Sequence, residues 1–234
     1  MFQNVSKDQR ADFFQEEHQF QKTMYKLDNV GVKFGSLQAL KDVNLRINEG
    51  EIVFITGASG AGKTTLLNLL AGNILQTSGT AKIPSKKFSA QVFQELRLVP
   101  NMTCLENLKL VYDPSLYKTK KEFNNDLKEL AKILGITKRL NIKIGDANGG
   151  LKQKVAIIRA LLTRPDVFIA DEPTSSLDYE NAKRLFDLLN VYNTKRGMTV
   201  IWASHNRDLV GRFVGKILHL ENGRLIHSGH ACFI

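Results

Sequence analysis

From residue 25 onward apolar and polar positions alternate. Tyr25 and Leu27, then Val30, Val32 and Phe34, are separated by polar or small residues, the spacing of a strand with one buried face. Val43, Leu45 and Ile47 repeat the pattern, and Glu49-Gly50 turns the chain into the unbroken apolar run Ile52-Val53-Phe54-Ile55. Such a run predicts a central parallel strand covered on both faces. Lys63 to Ala71 reads as a helix, closed by Gly72 at the position of a left-handed cap residue.

Between Leu105 and Asp146 strand-like runs vanish, and Phe123, Leu127, Leu130 and Leu134 fall at helical spacing before Gly135. This segment is expected to form a helical lobe. The α/β rhythm then resumes with a helix from about Leu151 to Thr163, a stop before Pro165 and a strand at Val167 to Ala170. A helix with Leu185, Leu188, Leu189 and Tyr192 on one face and a strand at Thr199 to Ala203 follow. Near the end, Asn222-Gly223 between two short apolar runs signals a hairpin. Residues 1–23 are polar and read as an N-terminal extension; its Phe13 and Phe20, with Met24 just beyond it, are spaced as on a weakly amphipathic helix.

Composition narrows the class. The chain has 234 residues, 43% of them hydrophobic, which suits one globular domain and excludes disordered or collagenous types. No apolar stretch approaches the roughly 18 residues of a membrane span, and the first residues lack the apolar core of a secretory signal. Cys104 and Cys232 are too few for a disulfide framework and read as reduced thiols. The formal charge is +10, and from Leu108 to Lys154 eleven Lys and Arg face five Asp and Glu. Charge of this sign fits nucleic acid, anionic lipid or a phosphorylated ligand alike.

The motifs separate these. Gly57-Ala58-Ser59-Gly60-Ala61-Gly62-Lys63-Thr64 fits G-x-x-x-x-G-K-[ST] and lies between a buried strand and a helix, where that phosphate-binding loop must lie. Gly57, Gly60 and Gly62 let successive N–H groups turn inward at the positive end of the following helix. Lys63 supplies a point charge for the β and γ phosphates, Thr64 is placed to ligate Mg²⁺, and Thr65 completes the loop's contact with phosphate. Val167-Phe168-Ile169-Ala170-Asp171-Glu172 is a strand ending in two carboxylates. Asp171 is the candidate holder of Mg²⁺ and Glu172 the candidate base for the attacking water.

The order of these segments, with a helical insertion between the halves, resembles the nucleotide-binding subunit of ATP-binding-cassette (ABC) systems from about Tyr25 to Ile226. The resemblance implies an α/β P-loop NTPase, with an ABC-type ATPase core over residues 24–230. That core would carry an antiparallel β subdomain and an inserted α-helical subdomain over about 96–150. It also implies roles for further residues. Gln94 matches the glutamine that touches Mg²⁺ and the attacking water, His205 the histidine that contacts the γ-phosphate, and Phe34 the aromatic that stacks on adenine. Asn148-Gly149-Gly150-Leu151 occupies the signature position, which in the family closes over ATP held by the opposite subunit of a dimer, and Ser175-Ser176-Leu177-Asp178 the loop after the carboxylates.

The signature departs from the family's Leu-Ser-Gly-Gly-Gln: Ala147, Asn148 and Leu151 stand where Leu, Ser and Gln are usual. Asn148 can cap the next helix and donate its amide, whereas Leu151 cannot replace a polar Gln. Slow or partner-dependent hydrolysis is one expectation, a tolerated change the other.

The expected protein is thus an ATPase using ATP and Mg²⁺. It acts as a homodimer on the cytoplasmic face of the membrane, held there by a separate integral permease-like subunit. Within the family the short single cassette looks most like the FtsE, LolD and MacB group, whose roles include cell division, lipoprotein release and efflux. A conventional importer ATPase, a regulatory ATP-binding scaffold and a soluble nucleic-acid-acting cassette are the alternatives. The last is disfavoured, since two-cassette chains or coiled-coil insertions typical of it are missing, and no nucleic acid is expected.

Overall fold

The computed structural model describes residues 22–231. The expected N-terminal extension, except for Lys22 and Thr23, and Cys232 lie outside these residues. Among the described residues nine strands form two sheets. β1 (Thr23–Phe34) and β2 (Leu37–Asn48) are the first antiparallel pair, β1 beginning two residues before the expected start at Tyr25. β3 (Ile52–Thr56) leads through the glycine-rich loop to α1 (Lys63–Leu70). Ala71 caps this helix and Gly72, at φ +75°, follows in the left-handed conformation.

β4 (Ser78–Lys82) adds to the free edge of β1, giving a three-stranded antiparallel sheet in the order β2-β1-β4. β5 (Ser89–Val92) enters the second sheet. Neither strand is legible in the pattern, because Ser-Gly-Thr-Ala-Lys is polar and largely exposed, and Ser-Ala-Gln-Val is short.

The expected helical lobe lies between β5 and the next core helix. It contains α2 (Cys104–Lys109), opened by a reciprocal Thr103–Glu106 capping box, and α3 (Lys120–Ile133), which buries Phe123, Leu127 and Leu130. Two short 3-10 turns complete it. Cys104 is a buried free thiol. α4 (Gly149–Leu161) begins two residues earlier than the expected Leu151, because Asn148 caps it through its side chain.

Arg164 ties the lobe to the core. Its guanidinium donates to Glu122 Oε1 at 2.7 Å, Asp126 Oδ2 at 2.8 Å and the Leu116 carbonyl at 2.9 Å, and lies 4.0 Å from the Tyr117 ring centroid. Tyr117 in turn donates its hydroxyl to the Leu162 carbonyl at 2.7 Å.

β6 (Val167–Asp171), α5 (Tyr179–Arg196), β7 (Thr199–Ser204), α6 (Arg207–Val210), β8 (Gly215–Glu221) and β9 (Arg224–Ala231) complete the chain. The second sheet runs β5-β6-β7-β3-β8-β9, parallel except for β9, which returns antiparallel to β8 through Asn222-Gly223. Strand alternation feeds two cores. Val53, Ile55, Ile169 and Ile201 pack with α1 and the antiparallel sheet, while Phe54, Phe168 and Trp202 face α4, α5 and the lobe. Burial on both faces accounts for the unbroken apolar runs of β3 and β6.

Candidate active site

The parallel register sets the site. Thr56 lies beside Ser204 and Asp171 beside Ala203, so β3, β6 and β7 end level with one another, and β5 ends alongside with Val92 opposite Ala170. Loops leaving the carboxyl ends of these strands therefore converge on one edge of the sheet.

The glycine-rich loop curls at that edge. Lys63 is buried, and its Nζ donates to the carbonyls of Gly57 at 2.8 Å and Ala58 at 3.0 Å. Gly62 has φ +102°, and a Cβ there would lie 2.7 Å from the Ala39 carbonyl oxygen, so no other residue fits without displacing β2. Ala61 lies beneath the loop and its carbonyl accepts from the Gly223 N–H at 3.0 Å. Ser59, Gly60, Lys63, Thr64 and Thr65 line a cavity of about 560 Å³ above the loop.

The two carboxylates of β6 enter the same cavity. Thr64 Oγ1 donates to Asp171 Oδ2 at 2.6 Å. Burial raises the Asp171 carboxyl above the usual carboxylate range; the Thr64 hydrogen bond opposes this, Glu172 adds to it and Lys63 opposes it. Glu172 has φ +51°, a conformation that costs a non-glycine residue about 1–3 kcal/mol. Its N–H donates to the Ala203 carbonyl at 2.9 Å, and its Oε1 lies 3.9 Å from Lys63 Nζ and 2.9 Å from His205 Nδ1. Gln94, in the turn after β5, and His205, after β7, also line the cavity.

Thus Gln94, Lys63, Asp171, Glu172 and His205 come together within one chain. Asn148, Gly149 and Gly150 do not; they sit at the start of α4, where Asn148 Oδ1 accepts from the Leu151 N–H at 2.9 Å. Leu151 is buried in the core facing the lobe. Phe34 is 52% exposed at the end of β1 and does not line the cavity, whereas its register partner Leu37, 66% exposed, does.

Sequence reasoning missed six lining residues: Leu37, Gln38, Ala39, Lys41, Asn222 and Gly223. The β8–β9 turn reaches the site because Gly223 donates to Ala61 O and accepts from Lys41 N at 2.8 Å, strapping the glycine-rich loop to β2. The Asn-Gly signal marked the turn but held no information on what it would touch.

The donor set suits a small hard cation. Thr64, Asp171 and Gln94 offer only oxygen as ligand atoms, while among the described residues no group of three His, Cys, Asp or Glu side chains can hold a metal alone. Mg²⁺ fits such a site, since it keeps water and substrate phosphate oxygens and takes few protein ligands.

A family model described as ABC transporter matches residues 40–175. The lipoprotein-releasing system ATP-binding protein LolD of Bacteroides thetaiotaomicron is 36% identical over 219 residues, covering 86% of this chain and 99% of that one. The methionine import ATP-binding protein MetN of Clostridioides difficile is 33% identical over 220 residues, covering 88% and 68%. Among solved structures, a dimeric ATP-binding cassette in a post-hydrolysis state bound to ADP and Pi superposes with a TM-score of 0.78. It is 31% identical and covers 90% of this chain and all of that one.

Proposed function

The chain belongs to the ABC transporter family as an ATP-binding, ATP-hydrolysing subunit, and on that premise we propose a LolD-like cassette that dimerises around ATP and drives a separate membrane subunit. The observation that carries the reading is the convergence of Lys63, Asp171, Glu172 and His205 on one cavity, with the signature segment outside it. A second copy placed head to tail brings Asn148, Gly149 and Gly150 over the phosphates and completes the site.

In this reading the loop N–H groups and Lys63 bind the β and γ phosphates, with Ser59 and Thr65 lining their approach. Thr64, Asp171 and Gln94 hold Mg²⁺, which when bound neutralises phosphate charge. Glu172 orients the attacking water and takes its proton, and His205 fixes the Glu172 carboxylate and reaches the γ-phosphate. Phe34 and Leu37 together offer an exposed apolar platform for adenine. Positioning and charge carry most of the rate effect, as little covalent chemistry falls on the protein in phosphoryl transfer.

Among the described residues no helix is long and apolar enough to cross a membrane. In this reading a separate membrane subunit carries the transport step, and the chain works at the cytoplasmic face. The basic lobe faces that partner, near anionic headgroups. Near-complete coverage of LolD favours the FtsE, LolD and MacB group, including its cell-division branch, over a conventional importer.

The test is purification of the Glu172→Gln variant with ATP from solubilised membranes. Recovery of a stoichiometric integral membrane protein is expected. A partner built as a substrate-importing permease moves the chain to the importer group, and the absence of any membrane protein overturns the reading.

A further inference from the structure

Gln94 opens a turn whose backbone is bent twice. Leu96 and Arg97 have φ +56° and +47°, so two consecutive non-glycine residues occupy the left-handed region. The Leu96 N–H donates to the Phe93 carbonyl at 3.0 Å and the Arg97 N–H to the Glu95 carbonyl at 2.6 Å, which closes the segment 93–97 on itself. Such a turn persists only where its surroundings hold it.

Two groups hold this one. Arg159, on α4, donates Nη1 to the Arg97 carbonyl at 2.8 Å and Nη2 to the Leu96 carbonyl at 2.9 Å. The Arg97 guanidinium lies 3.5 Å from the centroid of the Phe93 ring. Arg159 thus grips the carbonyls of the two strained residues, a task for which the flat fork of guanidinium is suited and a single ammonium is not. The other end of the turn is fixed by β5, whose Val92 pairs with Ala170 next to Asp171.

The same helix starts at Gly149 with Asn148 as its cap. Ten residues of helix, about 15 Å, separate the signature glycines from Arg159. We propose that Arg159 is a positioning residue for Gln94: by holding the Leu96–Arg97 carbonyls it keeps Gln94 at the cavity edge beside Thr64 and Asp171, and passes movements of α4 to that glutamine. The inference rests on Gln94 acting at the ATP site, as in the function proposed above.

The test is a double-mutant cycle on the full chain, reading kcat, KM and nucleotide Kd. Gln94→Ala and Arg159→Met are each expected to lower kcat about 10- to 100-fold, the first by removing the glutamine and the second by losing only its placement, so that Arg159→Met leaves KM and Kd within about threefold. The double variant is expected to turn over no more slowly than Gln94→Ala.

If Arg159→Met does not yield folded protein, Arg159→Lys carries the same cycle, with a several-fold loss that again vanishes in the Gln94→Ala background. An unchanged kcat on replacing Arg159, or losses that multiply in the double variant, overturns the inference and leaves the ATP site as proposed. A silent Gln94→Ala overturns both the inference and the role of Gln94.

Discussion

His205 meets one oxygen of Glu172 twice: its backbone N–H donates to Oε1 at 2.9 Å, and its ring Nδ1 lies 2.9 Å from the same atom. The contact fixes the rotation of the carboxylate at the end of β6. Glu172→Gln keeps the shape but not the basicity. Hydrolysis is expected to fall about 100-fold or more, while ATP binding persists and an ATP-bound dimer accumulates on size exclusion. An unchanged rate points instead to a regulatory scaffold with little turnover of its own.

Asp171 is expected to trade stability for activity. Its folded-state pKa is raised, chiefly by burial, so its ionised form is penalised in the fold and its favourable contribution is lost as pH rises through that pKa. Without nucleotide or metal, Asp171→Asn should therefore raise the melting temperature at neutral pH. The gain should shrink as pH falls toward the ordinary carboxylate range. ATPase activity should drop about 100-fold or more in the same variant. A lower melting temperature at pH 7 contradicts the burial argument.

Gly223 is far from the glycine-rich loop in sequence, yet a Cβ there would lie 2.6 Å from the Ala39 carbonyl oxygen, at φ +77°. Gly223→Ala should cost about 2 kcal/mol or more in urea unfolding. It should also weaken ATP binding, because the strap between Ala61 and Lys41 is displaced. Normal affinity in the variant would separate the strap from the site.

Arg164 predicts an acid-sensitive lobe. Glu122 has its carboxyl held low, first by the hydrogen bond from Arg164. A depressed carboxyl stabilises the fold above its unfolded pKa and stops doing so as pH falls through the folded one. Arg164→Met should lower the melting temperature by roughly 2–6 °C at pH 7. The difference from wild type should narrow below pH 4, where the carboxylates of the unfolded chain are already protonated.

The signature segment calls for two separate substitutions. Asn148→Ser keeps a capping oxygen, and stability should stay within about 0.5 kcal/mol, whereas Asn148→Ala should lose about 1 kcal/mol. Leu151→Gln places an amide in the core and should cost about 1–3 kcal/mol. The consensus pair Asn148→Ser with Leu151→Gln is therefore read against unfolding at each temperature. If turnover per folded molecule does not rise, the altered signature is not what sets the rate.

Much of the fold was legible because it is local. β3, β6 and β7 are buried on both faces and declare themselves as apolar runs, and the lobe declares itself by the spacing of Phe123, Leu127 and Leu130. β4 escaped notice because an exposed edge strand gains little from apolar side chains. α4 was read two residues short because Gly149 and Gly150 are poor helix formers; the Asn148 cap and the close packing of Gly150 on Ser176 outweigh that preference.

The sequence by itself determined which chemical groups are present and which short-range turns hold them. Gly62-Lys63-Thr64, between an apolar run and a helix, marks a candidate anion cradle, and Asp171-Glu172 closes an apolar run that reads as a buried strand. Only the tertiary structure decided that these groups meet. Each sits at the end of its own strand, and their separation depends on the parallel register that sets Thr56 beside Ser204 and Asp171 beside Ala203. Register is fixed by packing both faces of the sheet against residues distant in the chain, which no local pattern encodes. The same physics brought Asn222-Gly223 to the glycine-rich loop, Arg159 to the Gln94 turn, and kept Asn148 away from the cavity of its own chain.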